Sequence, residues 1–342
     1  MGRRKIKVAI LLAGGTAWDF KNPRASLVQS QEDAKRWIVQ IQSFLFGTTL
    51  TPHFFYDGES TDIPASLFYD LAKFITDHYD DYDGFVVTVA LPMISFASAA
   101  LAFFMGQIGK AVVITGSPLS ISNETLNHYL KAHERTFGIL GPRTHVLGAC
   151  IVAGADVGEV CTVYGNKILW PTRLVPHETQ GTNFFDTIDM PFLGRVDFGI
   201  QFFIGRNRRK CPLRAVVAWD DTATWIDARE PGESVFLNKV IEKKRGLIFE
   251  CLYGEIPSRI ESQIRKFAEK FPVIIYSTLP QKESFVSVGP YIWIQNITRE
   301  SLLAKFKWAL GQTKNPRDCQ KILLSDRANE FYTLKKEKKK IE

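Results

Sequence analysis

The sequence predicts an α/β protein with a larger N-terminal parallel-sheet domain and a smaller C-terminal α/β domain. In the stretch 83–118, apolar runs at 85–88 and 110–116 flank an Ala-, Phe- and Leu-rich segment at 95–105. This pattern is typical of two buried parallel strands joined by a helix that is buried along most of its surface. Strand-length apolar runs alternate with helical patterns again in the second half. With 342 residues, 45% of them hydrophobic, the chain can bury two cores.

The segments before residue 83 continue this alternation. The predicted elements are a strand at 7–12, a helix at 30–46, a strand at 52–56 and a helix at 64–79. The first strand runs into two glycines, which allow a sharp turn and place Thr16 at the strand's carboxyl end, where α/β sheets bind ligands. The turn after the second strand carries Ser60 and Thr61, whose hydroxyls suit hydrogen bonding. A threonine after two glycines is also a common turn or helix-cap residue, so Thr16 alone does not define a site.

The second half is predicted to form a small parallel α/β domain. Its predicted elements are strands at 215–219, 246–252 and 273–277 and helices at 234–243, 257–270 and 300–310. The predicted organisation is an N-terminal domain at 1–205, a basic solvated linker at 206–213, a C-terminal domain at 214–312 and a basic helical tail at 313–342. Asp220 and Asp221 leave a strand side by side, so they are interpreted as capping residues rather than as paired catalytic acids.

Composition narrows the classes of function. The five cysteines are widely spaced, odd in number and without a C-x-x-C pair, which favours reduced thiols in a cytoplasmic protein. No apolar run reaches the roughly 18 residues that a membrane span needs. The net charge of +7 lies partly at the two ends, and no nucleic-acid-binding motif accompanies it. His128 and His133 stand about 140° apart on a helix, unlike a zinc-binding pair, so neither a metal nor another cofactor is predicted.

Several stretches together resemble the bacterial-type L-asparaginases, especially their cytoplasmic, type I branch. The matching stretches are GGTA at 14–17, ESTDI at 59–63, YDDYDGFVV at 79–87, SAAL at 98–101, GKAVVITGS at 109–117, the GEV to YGNKIL segment at 158–169 and RGLIFECLYGEIP at 245–257. The resemblance covers about 7–312 and implies the two-domain asparaginase fold. It also implies that Thr16 occupies the position of the catalytic nucleophile and that Ser60 and Thr61 occupy substrate-binding positions.

The departures from the family pattern bear on function. In the family, the turn after the DGFVV strand carries HGTDT, which supplies a second catalytic threonine and an aspartate that binds the substrate's amino group. Here the turn is VALPM, which places Leu91 at the threonine and Pro92 at the aspartate. Pro92 also lacks a backbone N–H and has a fixed φ, which disfavours the family's loop geometry at this turn. The resemblance further implies a catalytic lysine shortly before Gly158 and a tyrosine in the lid at 18–31, and the sequence has neither.

The sequence therefore predicts a divergent asparaginase-like protein that lacks most catalytic residues. The leading hypothesis is a pseudoenzyme with a structural, scaffolding or partner-binding role. One alternative is a residual L-asparaginase that releases ammonia from L-asparagine with Thr16 as nucleophile, and another is a sensor that binds an amino acid without turnover. The resemblance implies a homo-oligomer, either a dimer or a tetramer. A protein partner in a larger assembly remains open.

Overall fold

A computed structural model of the chain shows two compact units, Met1–Val217 and Ala218–Glu342, called here the first and second units. The structure describes residues 5–14, 28–56, 63–64, 66–117, 143–177, 184–197, 199–205, 207–209, 212–227, 241–251, 256, 258–277, 285–288 and 291–332. No helix in these ranges is long and apolar enough to cross a membrane.

Strands and helices alternate through the beginning of the first unit, and short strands follow. In chain order the elements are β1 (Ile6–Ala13), α1 (Gln31–Gln42), β2 (Thr48–Tyr56), α2 (Leu67–Asp77), β3 (Gly84–Ala90), α3 (Ile94–Met105), β4 (Ala111–Ser117), α4 (Arg143–Gly154), β5 (Val160–Tyr164), β6 (Lys167–Leu169), β7 (Leu174–Pro176), β8 (Phe185–Thr187), β9 (Gly194–Val196) and β10 (Ile200–Phe202).

Most of these strands form one mixed sheet. Its order is β10-β9-β6-β5-β4-β3-β1-β2, and β7 pairs separately with β8. The pairs from β2 to β5 are parallel, whereas β6, β9 and β10 are joined by antiparallel pairs. The parallel strands β1 to β5 are therefore those that alternate with helices along the chain.

The predicted strand–helix–strand unit is confirmed as β3, α3 and β4. All seven residues of β3 are buried, as expected for a parallel strand covered on both faces. Helix α3 is buried at every position except the half-buried Phe96, which explains its lack of a polar face. A Cβ on Gly84 would lie 2.1 Å from the backbone oxygen of Ala153, so a glycine lets α4 approach the start of β3 closely.

The first helix illustrates how local signals place an element. Ser30 accepts a hydrogen bond from the backbone N–H of Asp33 and so caps the N-terminus of α1. The buried side chains Ala34, Trp37 and Ile41 recur at helical spacing and pack against the sheet. The predicted end at residue 46 is wrong, because the helix ends at Gln42 and a turn precedes β2.

The second unit has its own parallel sheet. Its elements are β11 (Ala223–Asp227), β12 (Gly246–Cys251), α5 (Ser258–Ala268), β13 (Val273–Ser277), β14 (Phe285–Val288), β15 (Tyr291–Ile294), α6 (Arg299–Gln312) and α7 (Pro316–Leu324). The strand order is β11-β12-β13-β15-β14, in which only the β14–β15 pair is antiparallel among the described strands. One apolar cluster lies on each face of this sheet.

The segment that joins the two units differs from the prediction. The strand predicted at 215–219 is wrong, because those residues have no regular structure and the first strand of the second unit is β11. Within the first unit the backbone N–H of Val216 donates to the oxygen of Phe104, whereas Ala218 and Trp219 belong to the second unit and lie against Gly311 of α6. Asp220 accepts the N–H of Thr222 at 2.8 Å, forming a turn contact rather than a helix cap.

The predicted tail at 313–342 also needs correction over its described part. Asn315 caps α7, and Cys319 and Leu323 of this helix are buried in the core of the second unit. Glu330, further along, is fully buried against Lys305 of α6. Residues 315–332 are therefore part of the second unit. The predicted solvated linker likewise has packed residues, since Asn207 accepts the N–H of Gly158 at 2.7 Å.

Candidate active site

The order of the strands locates the candidate site. Strand β1 lies between β2 and β3, so the chain continues on one side of β1 first and then crosses to the other side. In an open α/β sheet, ligands bind beyond the carboxyl ends of the strands at such a reversal. Because β1, β2 and β3 are parallel, the turns that follow them emerge at one edge of the sheet. These turns are the ones in which the sequence predicts site residues.

The end of β1 has an irregular backbone. Its pairing with β2 shifts register between Leu12 and Ala13, immediately before the turn. Gly14 follows with φ of +97°, a left-handed conformation that favours glycine. The backbone thus turns sharply where the sequence predicts a turn. Thr16 itself lies outside the described residues, as do Ser60 and Thr61 in the turn after β2.

The end of β3 passes almost directly into α3. Residues Leu91–Met93 form a single turn of 3₁₀ helix, with Pro92 in its first turn, where a backbone N–H is not needed. Leu91 is buried, with 4% of its surface exposed, whereas Pro92 is exposed. Neither side chain can donate or accept a hydrogen bond. This turn can therefore contribute shape and apolar surface but no proton transfer.

The space between α3 and the end of β4 is filled by an aliphatic side chain. A Cβ on Gly116 would lie 2.2 Å from Cδ1 of Ile94 and 3.0 Å from the oxygen of Val89. Ile94 is fully buried and therefore closes this part of the edge. The sequence analysis did not predict this contact. Its one indication in the sequence is a glycine, Gly116, near the end of the apolar run of β4.

Two buried threonines lie one layer below the edge. Thr88 of β3 and Thr115 of β4 are neighbours in the sheet, and both are almost fully buried. They follow Val86 and Val113 by two residues, so their side chains face the same helical layer as those core residues. The Thr115 hydroxyl has no hydrogen-bond partner among the described residues. Both side chains therefore lie on a buried face of the sheet, before the turns that follow β3 and β4.

A charged cleft of about 280 Å³ lies at the opposite, amino edge of the parallel strands. It is lined by Lys5, Asp83, Asp156 and Arg209, among others. The N–H of Arg209 donates to Asp156 at 3.1 Å, and burial lowers the pKa of its guanidinium although Asp83 and Asp156 act in the opposite direction. Its position at the amino edge and its internal pairing indicate a structural cluster.

The described part of the candidate site is thus apolar. Of the predicted site residues, the structure places Leu91 and Pro92 together on one turn beside the end of β1. The histidines considered as metal ligands, His128 and His133, lie outside the described residues. Within the described ranges, no group of three or more His, Cys, Asp or Glu side chains could hold a metal ion.

The fold defines the structural class of the protein. Over 96% of this chain and 99% of the other, the structure is similar to the crystal structure of L-asparaginase I from Vibrio cholerae, with a TM-score of 0.72 and 17% sequence identity. This likeness confirms the predicted two-domain asparaginase fold. The core sheet and the separate smaller α/β unit are thus those of an asparaginase-fold protein.

Sequence comparisons agree with the fold. Residues 7–128 match the family model described as Asparaginase, N-terminal. The chain is 27% identical over 134 residues to L-asparaginase 1 of Escherichia coli K12, an alignment that covers 39% of this chain and 36% of that protein. It is 28% identical over 293 residues to the mouse 60 kDa lysophospholipase, covering 80% of this chain and 49% of that protein. The chain thus spans half or less of these two relatives, and its resemblance to the L-asparaginases is confirmed.

Proposed function

We propose that this asparaginase-like protein is a pseudoenzyme that does not hydrolyse amides and serves a structural or partner-binding role. The observation that carries the proposal is the turn at the end of β3. Two positions that carry chemistry in the family are occupied by the buried Leu91 and by Pro92. The asparaginase-like fold is retained while the chemistry expected at this turn is absent.

Amide hydrolysis by a threonine depends on the transfer of its hydroxyl proton. A threonine hydroxyl attacks an amide only if a neighbouring group accepts its proton, and the developing oxyanion needs hydrogen-bond donors. Leu91 supplies neither, and Pro92 lacks both a carboxylate for the substrate's amino group and a backbone N–H. Catalytic residues that act as a unit lose most of their rate when one is removed. We expect a deficit of roughly 10⁴-fold or more relative to a complete site.

The packing around the turn supports the same proposal. Ile94 occupies the space against Gly116, and Leu91 is buried beside it in the chain. Restoring only the missing side chains would therefore place polar groups in an apolar environment, where an unpaired hydroxyl costs about 1–3 kcal/mol. A hydrophobic edge of this kind suits a protein that does not need an open polar site.

A second candidate is a residual amidohydrolase with Thr16 as nucleophile and Ser60 and Thr61 as substrate contacts. The left-handed Gly14 favours it, because that backbone still turns at the end of β1. A third candidate, the amino-acid sensor, would bind L-asparagine through the same hydroxyls without turnover. Following the family resemblance, we also propose a cytoplasmic homo-oligomer. Light scattering of the purified chain would show whether it is a dimer or a tetramer.

The decisive experiment measures ammonia release from L-asparagine and L-glutamine at high protein concentration. The matched control is Thr16→Ala, purified identically, because it removes only the candidate nucleophile. We expect equal, background rates from both proteins. Turnover by the wild-type protein that is lost in Thr16→Ala would refute the pseudoenzyme and support the residual hydrolase. Calorimetric titration with L-asparagine distinguishes the sensor from the pseudoenzyme, because a sensor would bind L-asparagine with measurable heat and release no ammonia.

A reconstruction tests the role given to the turn. The double variant Leu91→Thr/Pro92→Asp restores the two side chains that the resemblance places there. We expect it to remain inactive and to be less stable than the wild-type protein, because Ile94 and its surroundings stay apolar. If ammonia release appeared in this variant and depended on Thr16, these two positions alone would account for the missing activity.

A further inference from the structure

Strand β2 forms one edge of the eight-stranded sheet, with β1 as its neighbour on the other side. It is nine residues long, and an edge strand of this length presents backbone N–H and C=O groups that can pair with a strand of another molecule. Proteins usually blunt such edges with charges, prolines, bulges or a covering element. In this protein four outward backbone groups of β2 are bonded to two side chains of helix α1.

Gln42, the last residue of α1, covers the beginning of the edge. Its Nε2 donates to the backbone oxygen of Thr48 at 2.6 Å, and its Oε1 accepts the backbone N–H of Leu50 at 2.8 Å. In a parallel ladder, one residue of a neighbouring strand makes the same two bonds, donating to residue i−1 and accepting from residue i+1. The amide of Gln42 therefore occupies the ladder position opposite Thr49.

Gln31, the first residue of α1, does the same four residues further along the strand. Its Nε2 donates to the oxygen of Pro52 at 2.8 Å, and its Oε1 accepts the N–H of Phe54 at 2.8 Å. This amide occupies the ladder position opposite His53. The two glutamines thus repeat one hydrogen-bonding pattern at two points of the same edge.

The position between them is disabled by the sequence of the strand. A residue paired opposite Thr51 would donate to the oxygen of Leu50 and accept from the N–H of residue 52. That residue is Pro52, which has no N–H. Of three consecutive ladder positions at this edge, two are therefore filled by a glutamine amide, and the third can form only one of its two hydrogen bonds.

The spacing of the glutamines fits this arrangement. Eleven residues correspond to about three helical turns, so Gln31 and Gln42 project from the same side of α1. The helix rises about 16 Å over that interval, and the strand advances about 13 Å between positions 49 and 53, a difference that flexible side chains can span. Ala34, Trp37 and Ile41 pack α1 on the sheet and hold the two amides beside the edge.

We propose that Gln31 and Gln42 act as a substitute for a ninth strand and close this edge against β2 of a second copy of the chain. The need for closure is increased by exposed apolar side chains nearby, since Val39 of α1 is 67% exposed and Phe46, just before β2, is 95% exposed. The homo-oligomer proposed above would therefore use a surface other than this edge.

The test uses the full chain with Gln31→Ala/Gln42→Ala. Hydrogen exchange resolved to single residues should show the Leu50 and Phe54 amides exchanging about tenfold faster or more, since each loses a hydrogen bond. Light scattering across a concentration series should show association that begins at concentrations about tenfold lower than for the wild-type protein. Gln29→Ala, which removes an exposed glutamine just before α1, should change neither measurement.

Two further variants keep the proposal refutable. Ile41→Val weakens the packing of α1 without removing an amide, so association in this variant as strong as in the double variant would attribute the effect to lower stability and overturn the proposal. If the double variant does not fold, Gln31→Ala alone should accelerate exchange at Phe54 but not at Leu50. Unchanged exchange and association after loss of the glutamines would also overturn the proposal.

Discussion

Lys305 and Glu330 form a buried ion pair that secures the end of the second unit, and its removal gives a quantitative prediction. Both side chains are fully buried, and Lys305 Nζ lies 2.6 Å from Glu330 Oε1. The same ammonium donates to the backbone oxygens of Leu323 at 2.7 Å and Ser325 at 2.5 Å, at the end of α7. It also lies 4.4 Å from the centre of the Phe331 ring. One cation thus joins α6, α7 and the segment that follows them.

The perturbation is Lys305→Met, which keeps most of the volume and removes the charge. Glu330 would keep the backbone N–H groups of Arg327 and Ala328 but lose its cation. Removing one partner of a buried ion pair costs about 3–5 kcal/mol, because the remaining charge stays uncompensated. In the wild-type protein burial is the largest influence on Glu330 and opposes its ionisation. The pKa of Glu330 is nevertheless lowered, because the charge of Lys305 and the hydrogen bonds from Asp326, Lys305 and Ala328 together outweigh burial.

Cys319 provides the assay, because it lies on α7 and is 1% exposed. Burial raises the pKa of its thiol to about 12, so alkylation at neutral pH requires local opening of the helix. If α7 opens 3–5 kcal/mol more easily, alkylation of Cys319 should accelerate by roughly two to four powers of ten. Peptide mapping by mass spectrometry separates this thiol from the other cysteines. The matched control is Lys321→Met, whose exposed pair with Asp318 should be worth less than about 1 kcal/mol.

Alkylation of Cys319 that is no faster in Lys305→Met than in Lys321→Met would refute this reasoning. The double variant Lys305→Met/Glu330→Gln provides a second criterion. Because it removes both charges, its loss should be smaller than the sum of the two single losses. Strict additivity would mean that the carbonyl contacts of Lys305, rather than the ion pair, hold α7 in place.

Two other predictions concern packing and pH. Gly84→Ala should lower the free energy of unfolding by about 1–3 kcal/mol or more, since the new Cβ meets a backbone oxygen, whereas Gly116→Ala should cost less because the end of the Ile94 side chain can move. Urea unfolding of the pair checks this, and equal losses would contradict it. Burial, and then a neighbouring buried carboxyl, raise the pKa of Asp326 to about 6. Because the folded-state pKa of Asp326 lies above the unfolded one, protonated Asp326 stabilises the fold below about pH 4, and this contribution to the free energy of unfolding is lost as the pH rises through about 6. Asp326→Asn should therefore remove this fall in the free energy of unfolding between about pH 4 and 6.

The elements that the sequence predicted well are those whose signal is local. Strand β13 was predicted at 273–277, its observed range, and the unit around α3 was found because continuous apolar runs demand burial on all sides. The helix predicted to end at 46 was too long, because Phe44 and Leu45 continue the apolar period into a turn. The strand predicted at 215–219 failed for a related reason. Its apolar residues have no assigned secondary structure, and the backbone N–H of Val216 donates to Phe104 rather than to a neighbouring strand.

The position of the turn that carries Leu91 and Pro92 was predictable from the sequence. Parallel strands place their following turns at one edge, so the end of β3 was an expected location before any coordinates. Leu91 and Pro92 were recognised there from the resemblance to a family motif. The contact between Ile94 and Gly116 was not predicted, since nothing in the sequence near either residue indicates that they touch.

By itself, the amino-acid sequence determined the α/β class, the strand–helix–strand unit and the asparaginase resemblance, because periodic burial and short motifs are properties of neighbouring residues. The tertiary structure alone decided which distant groups meet. Lys305 and Glu330 are separated by 24 intervening residues, and Gln31 bonds to a strand that begins beyond the end of its own helix. A glutamine on a helix and a lysine among apolar residues have no local pattern that names a partner. Their partners are specified only when the packed chain brings a carbonyl or a carboxylate within hydrogen-bonding distance.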